Sequence, residues 1–129
     1  MAADLTMYEK MGFNIAFTLV AGSNFTGITA GQPIPRTALS RVFFYIKRPK
    51  DSAVLVTKSD EDANGANITS EIEWTNENGG LLTVKLVTAD TSGSPCVGAI
   101  FELWGTHAVS GQPVLLDRGT IDILDSISV

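Results

Sequence analysis

The sequence predicts an all-β protein: a single antiparallel β-sandwich of about seven strands, immunoglobulin-like or jelly-roll, behind an N-terminal arm. Three observations carry this. Apolar and polar side chains alternate with period two along much of the chain. Turn signals rich in Gly, Pro, Asn and Asp recur about every eight to twelve residues. No segment holds a 3.6-residue apolar period long enough to specify a helix.

The elements follow in order. Residues 1–12 read as an arm, with an amphipathic turn as the alternative over residues 2–10. Phe13, Ile15, Phe17 and Leu19 then alternate with Asn14, Ala16, Thr18 and Val20, which describes a half-buried strand. Residues 22–35 hold too many glycines and prolines for a regular element. SRVFFYIKR, residues 40–48, puts aromatic and β-branched residues on both faces and reads as an interior strand. Pro49-Lys50-Asp51-Ser52 supplies a turn, and AVLVT from Ala53 is the return strand. Ile68, Ser70, Ile72 and Trp74 share one face of the next strand, so Trp74 should be buried. Asn78-Gly79 marks a hairpin into LLTVKLVT, residues 81–88. Residues 97–107 and 114–124 form the last two strands, joined through Ser110-Gly111-Gln112-Pro113.

The chain has 129 residues, enough for one domain with its own core. Hydrophobic residues make up 44% and charged residues 18%, which is a globular composition rather than a disordered one. Nine Lys+Arg stand against 14 Asp+Glu, a formal net charge of −5, so binding to nucleic acid phosphates is not expected. The longest early apolar run, residues 11–21, is too short to span a bilayer, and no membrane partner is expected. Asp4 and Glu9 are unlike the n-region of a signal peptide. The single cysteine, Cys96, permits no internal disulfide, as in a protein that folds in a reducing cytoplasm.

Few residues offer chemistry. Asp60, Asp62, Asn64, Gly65 and Glu71 match the calcium-loop pattern at each specified place. Calcium takes six to eight oxygens from alternating positions of a tight turn, which these residues could supply. The flanks read as strands rather than helices, however, so the preferred reading is the polar tip of a hairpin with no cofactor, and calcium is the alternative. His107 is the only histidine, which excludes a histidine-based triad, and it reads as a surface turn residue. Cys96 has no neighbouring base or cation to activate it. Lys47-Arg48-Pro49-Lys50 is the sharpest cluster of charge. It reads equally as a contact for an acidic partner surface or as protection of a strand end.

Longer stretches carry a resemblance. Gly31-Gln32-Pro33-Ile34 precedes the second strand, Ala89-Asp90-Thr91 precedes the sixth, and Phe101-Glu102-Leu103 lies within it. With the intervening strand and hairpin pattern, from about Phe13 to Ile123, the chain resembles the small immunoglobulin-like β-sandwich proteins of tailed-phage virions. The N-terminal domain of the phage upper baseplate protein is one such protein. The resemblance implies a non-enzymatic virion subunit, made in the host cytoplasm. A chain of this length looks most like a capsid decoration (cement) protein that bridges major capsid protein subunits, with a tail or baseplate subunit as the alternative. Other virion proteins are then the expected partners, and self-association into an oligomer is expected. Candidate contacts are Tyr8, Phe25, Ile28, Lys47, Arg48 and Lys50, on the arm, the first long loop and the basic cluster. A reading from another class is a carbohydrate- or receptor-binding module. It predicts an exposed aromatic platform near a loop: exposure of Trp104 and Phe25 together favours it, and burial of both counts against it.

Overall fold

The computed structural model describes residues 5–8, 11–23, 25–91 and 95–124. They form two sheets packed face to face. The larger contains β1 (Leu5–Tyr8), β8 (Pro113–Leu124), β7 (Cys96–His107), β3 (Leu39–Lys47) and β4 (Val54–Ser59), in that order. The smaller contains β2 (Phe13–Thr18), β6 (Leu81–Leu86) and β5 (Ile72–Asn76). The run β8-β7-β3-β4 is the G-F-C-C′ order of an immunoglobulin sheet, and β2-β6-β5 is its B-E-D order. The sandwich therefore has immunoglobulin-type rather than jelly-roll topology.

The period-two pattern decides which face each strand buries. Ile15 and Phe17 of β2 and Leu82, Val84 and Leu86 of β6 face inward, against Val42, Phe44 and Ile46 of β3. Three phenylalanines form the centre. Phe17 lies 6.1 Å from Phe44 and 5.9 Å from Phe101, and Phe44 and Phe101 are 6.2 Å apart. They sit on the second, third and seventh strands. Antibody domains place an inter-sheet disulfide and a tryptophan on the matching strands. Tilted and offset aromatic pairs at such distances contribute beyond their buried area, so the cluster ties the sheets together without a cystine.

Of the arm expected over residues 1–12, residues 1–4, 9 and 10 lie outside the described residues. Leu5–Tyr8 is a strand, paired in parallel with Ile121–Leu124 of β8, and it buries Met7. Four residues are too few to display a period, and the pairing partner lies at the far end of the sequence. The strand expected from Ile68 begins only at Ile72, because residues 68–71 turn to serve the preceding loop. Thr88, expected to end a strand, instead opens a four-residue helix, α1 (Thr88–Thr91). Asp90 of α1 accepts the Val87 N–H at 2.6 Å and pairs with the buried Lys58 of β4 at 2.8 Å, which fixes this corner to the sheet.

Two glycines are demanded by the backbone. Gly80 has φ +70°, and a Cβ there would stand 2.6 Å from the Leu19 carbonyl oxygen. Gly98 has φ +72° at the irregularity between Cys96 and Ala99, where β7 bulges against β8. Its N–H donates to Asp122 at 2.8 Å.

Phe44 is fully buried between its two ring partners, so Phe44→Ala should cost about 3–5 kcal/mol, with Phe44→Leu costing less. Denaturant unfolding followed by tryptophan fluorescence measures the difference.

Candidate functional site

The loop that matches a calcium pattern is closed by its own hydrogen bonds. Asp62 Oδ1 accepts the N–H groups of Asn64 at 2.8 Å and Ala66 at 3.0 Å, and Gly65 supplies the left-handed turn at φ +82°. Asp60 is 3% exposed. Its Oδ1 accepts the Val42 N–H at 3.0 Å and its Oδ2 the Trp74 indole N–H at 3.2 Å. One carboxylate thus joins β3 of the large sheet to β5 of the small one. Glu71 Oε1 accepts the Ser59 N–H at 2.9 Å, at the end of edge strand β4. The Glu71 carbonyl accepts the Lys85 N–H at 2.7 Å, so this residue also spans the sheets. Glu71 thus turns back toward β4 at the base of the loop, while Glu73 pairs with Lys85. Among the described residues no group of three or more His, Cys, Asp or Glu is placed to hold a metal ion.

The other proposed contacts are dispersed. Tyr8 is 46% exposed on edge strand β1. Phe25 is buried against the His107 ring at 5.2 Å, so it presents no exposed contact. Ile28 packs partly on the core. Arg48 donates two hydrogen bonds to Asp51, at 3.0 and 2.9 Å. These bonds hold the Asp51 carboxyl below its ordinary value and raise the guanidinium above its own. Lys50 is exposed in the same turn. Phe25 is buried and Trp104 half-buried, so the two are not exposed together, the arrangement that would favour a carbohydrate-binding reading.

What the structure does assemble lies on the face of the large sheet turned away from the small one. Arg41, Phe43, Tyr45 and Lys47 alternate along β3 with the inward Val42, Phe44 and Ile46. The Arg41 guanidinium carbon stands 4.6 Å from the Phe43 ring centre. Phe43 and Tyr45 stack at 6.2 Å, with planes 10° apart. The Lys47 ammonium is 5.7 Å from the Tyr45 ring centre. The result is a row of two rings capped by a cation at each end. On β7, Trp104 lies opposite Phe43 in register. Its indole N–H donates to Glu102 Oε1 at 3.1 Å, which fixes the ring. A shallow cavity of about 550 Å³ opens here, lined by Phe43, Tyr45, Lys47, Trp104, Val54 and Pro113 among others.

Two carboxylates offset most of the cationic charge on this face. Glu102 Oε1 accepts from Lys47 Nζ at 2.9 Å, and Glu102 Oε2 stands 3.6 Å from Arg118 Nε. The Lys47 hydrogen bond, then the Trp104 one, hold the Glu102 carboxyl below its ordinary value. Arg41 stands 3.8 Å from Glu61. The sequence carried a signal for this face that the reading missed. Both faces of residues 40–48 carry apolar or aromatic residues, whereas only one can meet the second sheet.

No protein-family model matches this chain, and no curated protein matches it in sequence.

Asp60→Ala strips partners from two donors, the Val42 N–H and the Trp74 indole, and should cost about 1–3 kcal/mol in thermal or denaturant melts. Glu102 gives a pH signature. Its folded value is lowered, so its contribution is complete above the ordinary glutamate range and is lost as pH falls through the folded value. Melting temperatures of wild type and Glu102→Gln should therefore differ at neutral pH and converge in acid below the ordinary glutamate value.

Proposed function

We propose that this chain is a non-enzymatic virion subunit of a tailed bacteriophage, a capsid decoration protein that bridges and stabilises neighbouring major capsid subunits. The observation that carries the reading is the outer face of the five-stranded sheet. A rigid sandwich turns an aromatic row, Phe43 and Tyr45 with Trp104 beside them, away from its own core, over a cavity of about 550 Å³. Aromatic residues with paired rim charges suit the buried centre of a protein contact. Glu102 pairs with both Lys47 and Arg118 and Glu61 with Arg41, so most of the charge on this face is offset and the aromatic row favours a largely apolar partner surface.

The polar groups support a structural rather than a catalytic role. Asp60, Asp62, Glu71, Asp90 and Asp122 each accept backbone N–H groups. Among the described residues, no buried side-chain nitrogen or oxygen lacks a partner. The motif resemblance to phage sandwich proteins supplies the address. Bridging capsid subunits through this face would bury further area at the seams and resist internal pressure.

Purified phage particles that contain this chain test the reading. Cryo-electron microscopy should place its density over the capsid lattice, with the β3–β7 face toward the major capsid protein. Trp104→Ala with Tyr45→Ala should lower its occupancy on particles at least tenfold and leave the fold intact by circular dichroism. Density in the tail would replace decoration by a tail or baseplate role. Absence from particles would overturn the virion reading itself.

A further inference from the structure

We infer that the open edge of β2 is a self-association site, where a second copy of this chain adds its own β2 in antiparallel pairing. β2 ends the three-stranded sheet and bonds to β6 on one side. Parity decides which backbone groups face that side. Phe13, Ile15 and Phe17 lie opposite Leu86, Val84 and Leu82. The Leu19 N–H donates to the Gly80 carbonyl at 2.8 Å, and the Ala21 N–H to the Gln32 carbonyl at 2.9 Å. Odd-numbered residues therefore direct their backbone groups toward β6 and the segment that continues it. Asn14, Ala16, Thr18 and Val20 turn theirs to the open side. Among the described residues, nothing pairs with that side.

The other edges are guarded and this one is not. β1 is four residues long, and the part of β8 that runs past it opens at Pro113. β5 carries Glu73 and is irregular between Trp74 and Asn76. On β4 the Glu71 carboxylate takes the Ser59 N–H. β2, FNIAFT, has no charge, no proline and no bulge, and no carboxylate serves its open groups. Such an edge pairs with a further strand unless something blocks it. Charge selects the occupant. A net charge of −5 sets copies of the chain against each other, but residues 11–35 contain no Asp, Glu, Lys or Arg. A twofold axis at Phe17 places Asn14 opposite Val20, and Ala16 opposite Thr18, of the second copy. Each open N–H then meets a carbonyl, no like charges face each other, and two three-stranded sheets become one. Val20, 50% exposed, gains cover from the Asn14 opposite it. Both strands are already held extended by β6, so pairing orders little further chain, unlike capture of an unstructured segment. The inference stands whether or not the chain is a virion subunit.

Sedimentation equilibrium of the full chain should show monomers passing to dimers as concentration rises. Over the same range, amide hydrogen exchange should slow at Asn14, Ala16, Thr18 and Val20, while amides of β5, the opposite edge of the same sheet, stay unchanged. Ala16→Lys puts a charge on both sides of the axis and should weaken the dimer several-fold. The Ala16 side chain is exposed, so circular dichroism of the dilute variant should match wild type. Mixing Ala16→Lys with Thr18→Glu chains should restore pairing, because the register sets these positions opposite each other. A chain that stays monomeric up to its solubility limit would overturn the inference. So would a dimer whose four β2 amides exchange as fast as in the monomer, or Ala16→Lys chains that dimerise as tightly as wild type.

Discussion

Phe44 touches an aromatic ring on each side: Phe17 across the sandwich at 6.1 Å, and Phe101 on the neighbouring strand at 6.2 Å. This contact is the constraint from which the rest follows. A domain of this size whose single cysteine permits no internal disulfide must hold its sheets together by burial. Burying Phe44 sets the phase of β3. Val42 and Ile46 then face inward with it, and Arg41, Phe43, Tyr45 and Lys47 face outward. A shift of one residue would expose Phe44 and bury two cations. The core and the outer aromatic row are therefore two consequences of one register.

The same logic explains the acidic residues. A sandwich leaves donors at its corners and edges that no ladder satisfies, and this chain satisfies several of them with carboxylates. Asp60 serves Val42 and Trp74, Glu71 serves Ser59, Asp90 serves Val87, and Asp122 serves the bulge at Gly98. A carboxylate that accepts backbone N–H groups makes a stronger bond than a neutral acceptor does. Such groups look reactive when read as a string of letters, because the spacing of Asp60, Asp62, Asn64 and Glu71 is shared with an ion-binding loop. Space separates their roles: two bridge the sheets, and one caps its own turn.

The fold was largely legible because period two is a local property. Phe13 to Leu19, residues 81–86 and the long β7 and β8 each display it within a few residues. β1 was not legible. Its four residues gain stability from parallel pairing with Leu124 and its neighbours, more than a hundred positions away in the chain. His107 was misread for the same reason: it is buried against Phe25 and bonded to the Thr26 carbonyl, both far from it in sequence. The outer aromatic face left a trace in the apolar residues on both sides of residues 40–48. Reading it required knowing that one side of β3 meets the second sheet and the other does not.

Covalent footprinting of the chain, free and assembled on particles, tests the central claim most directly. If the phase of β3 creates the binding face, assembly should protect Phe43, Tyr45 and Trp104 together, while Leu81 and Val87 on the small-sheet side keep their free-state labelling. Unchanged labelling of the three aromatics, with protection confined to the small sheet or the loops, would contradict it.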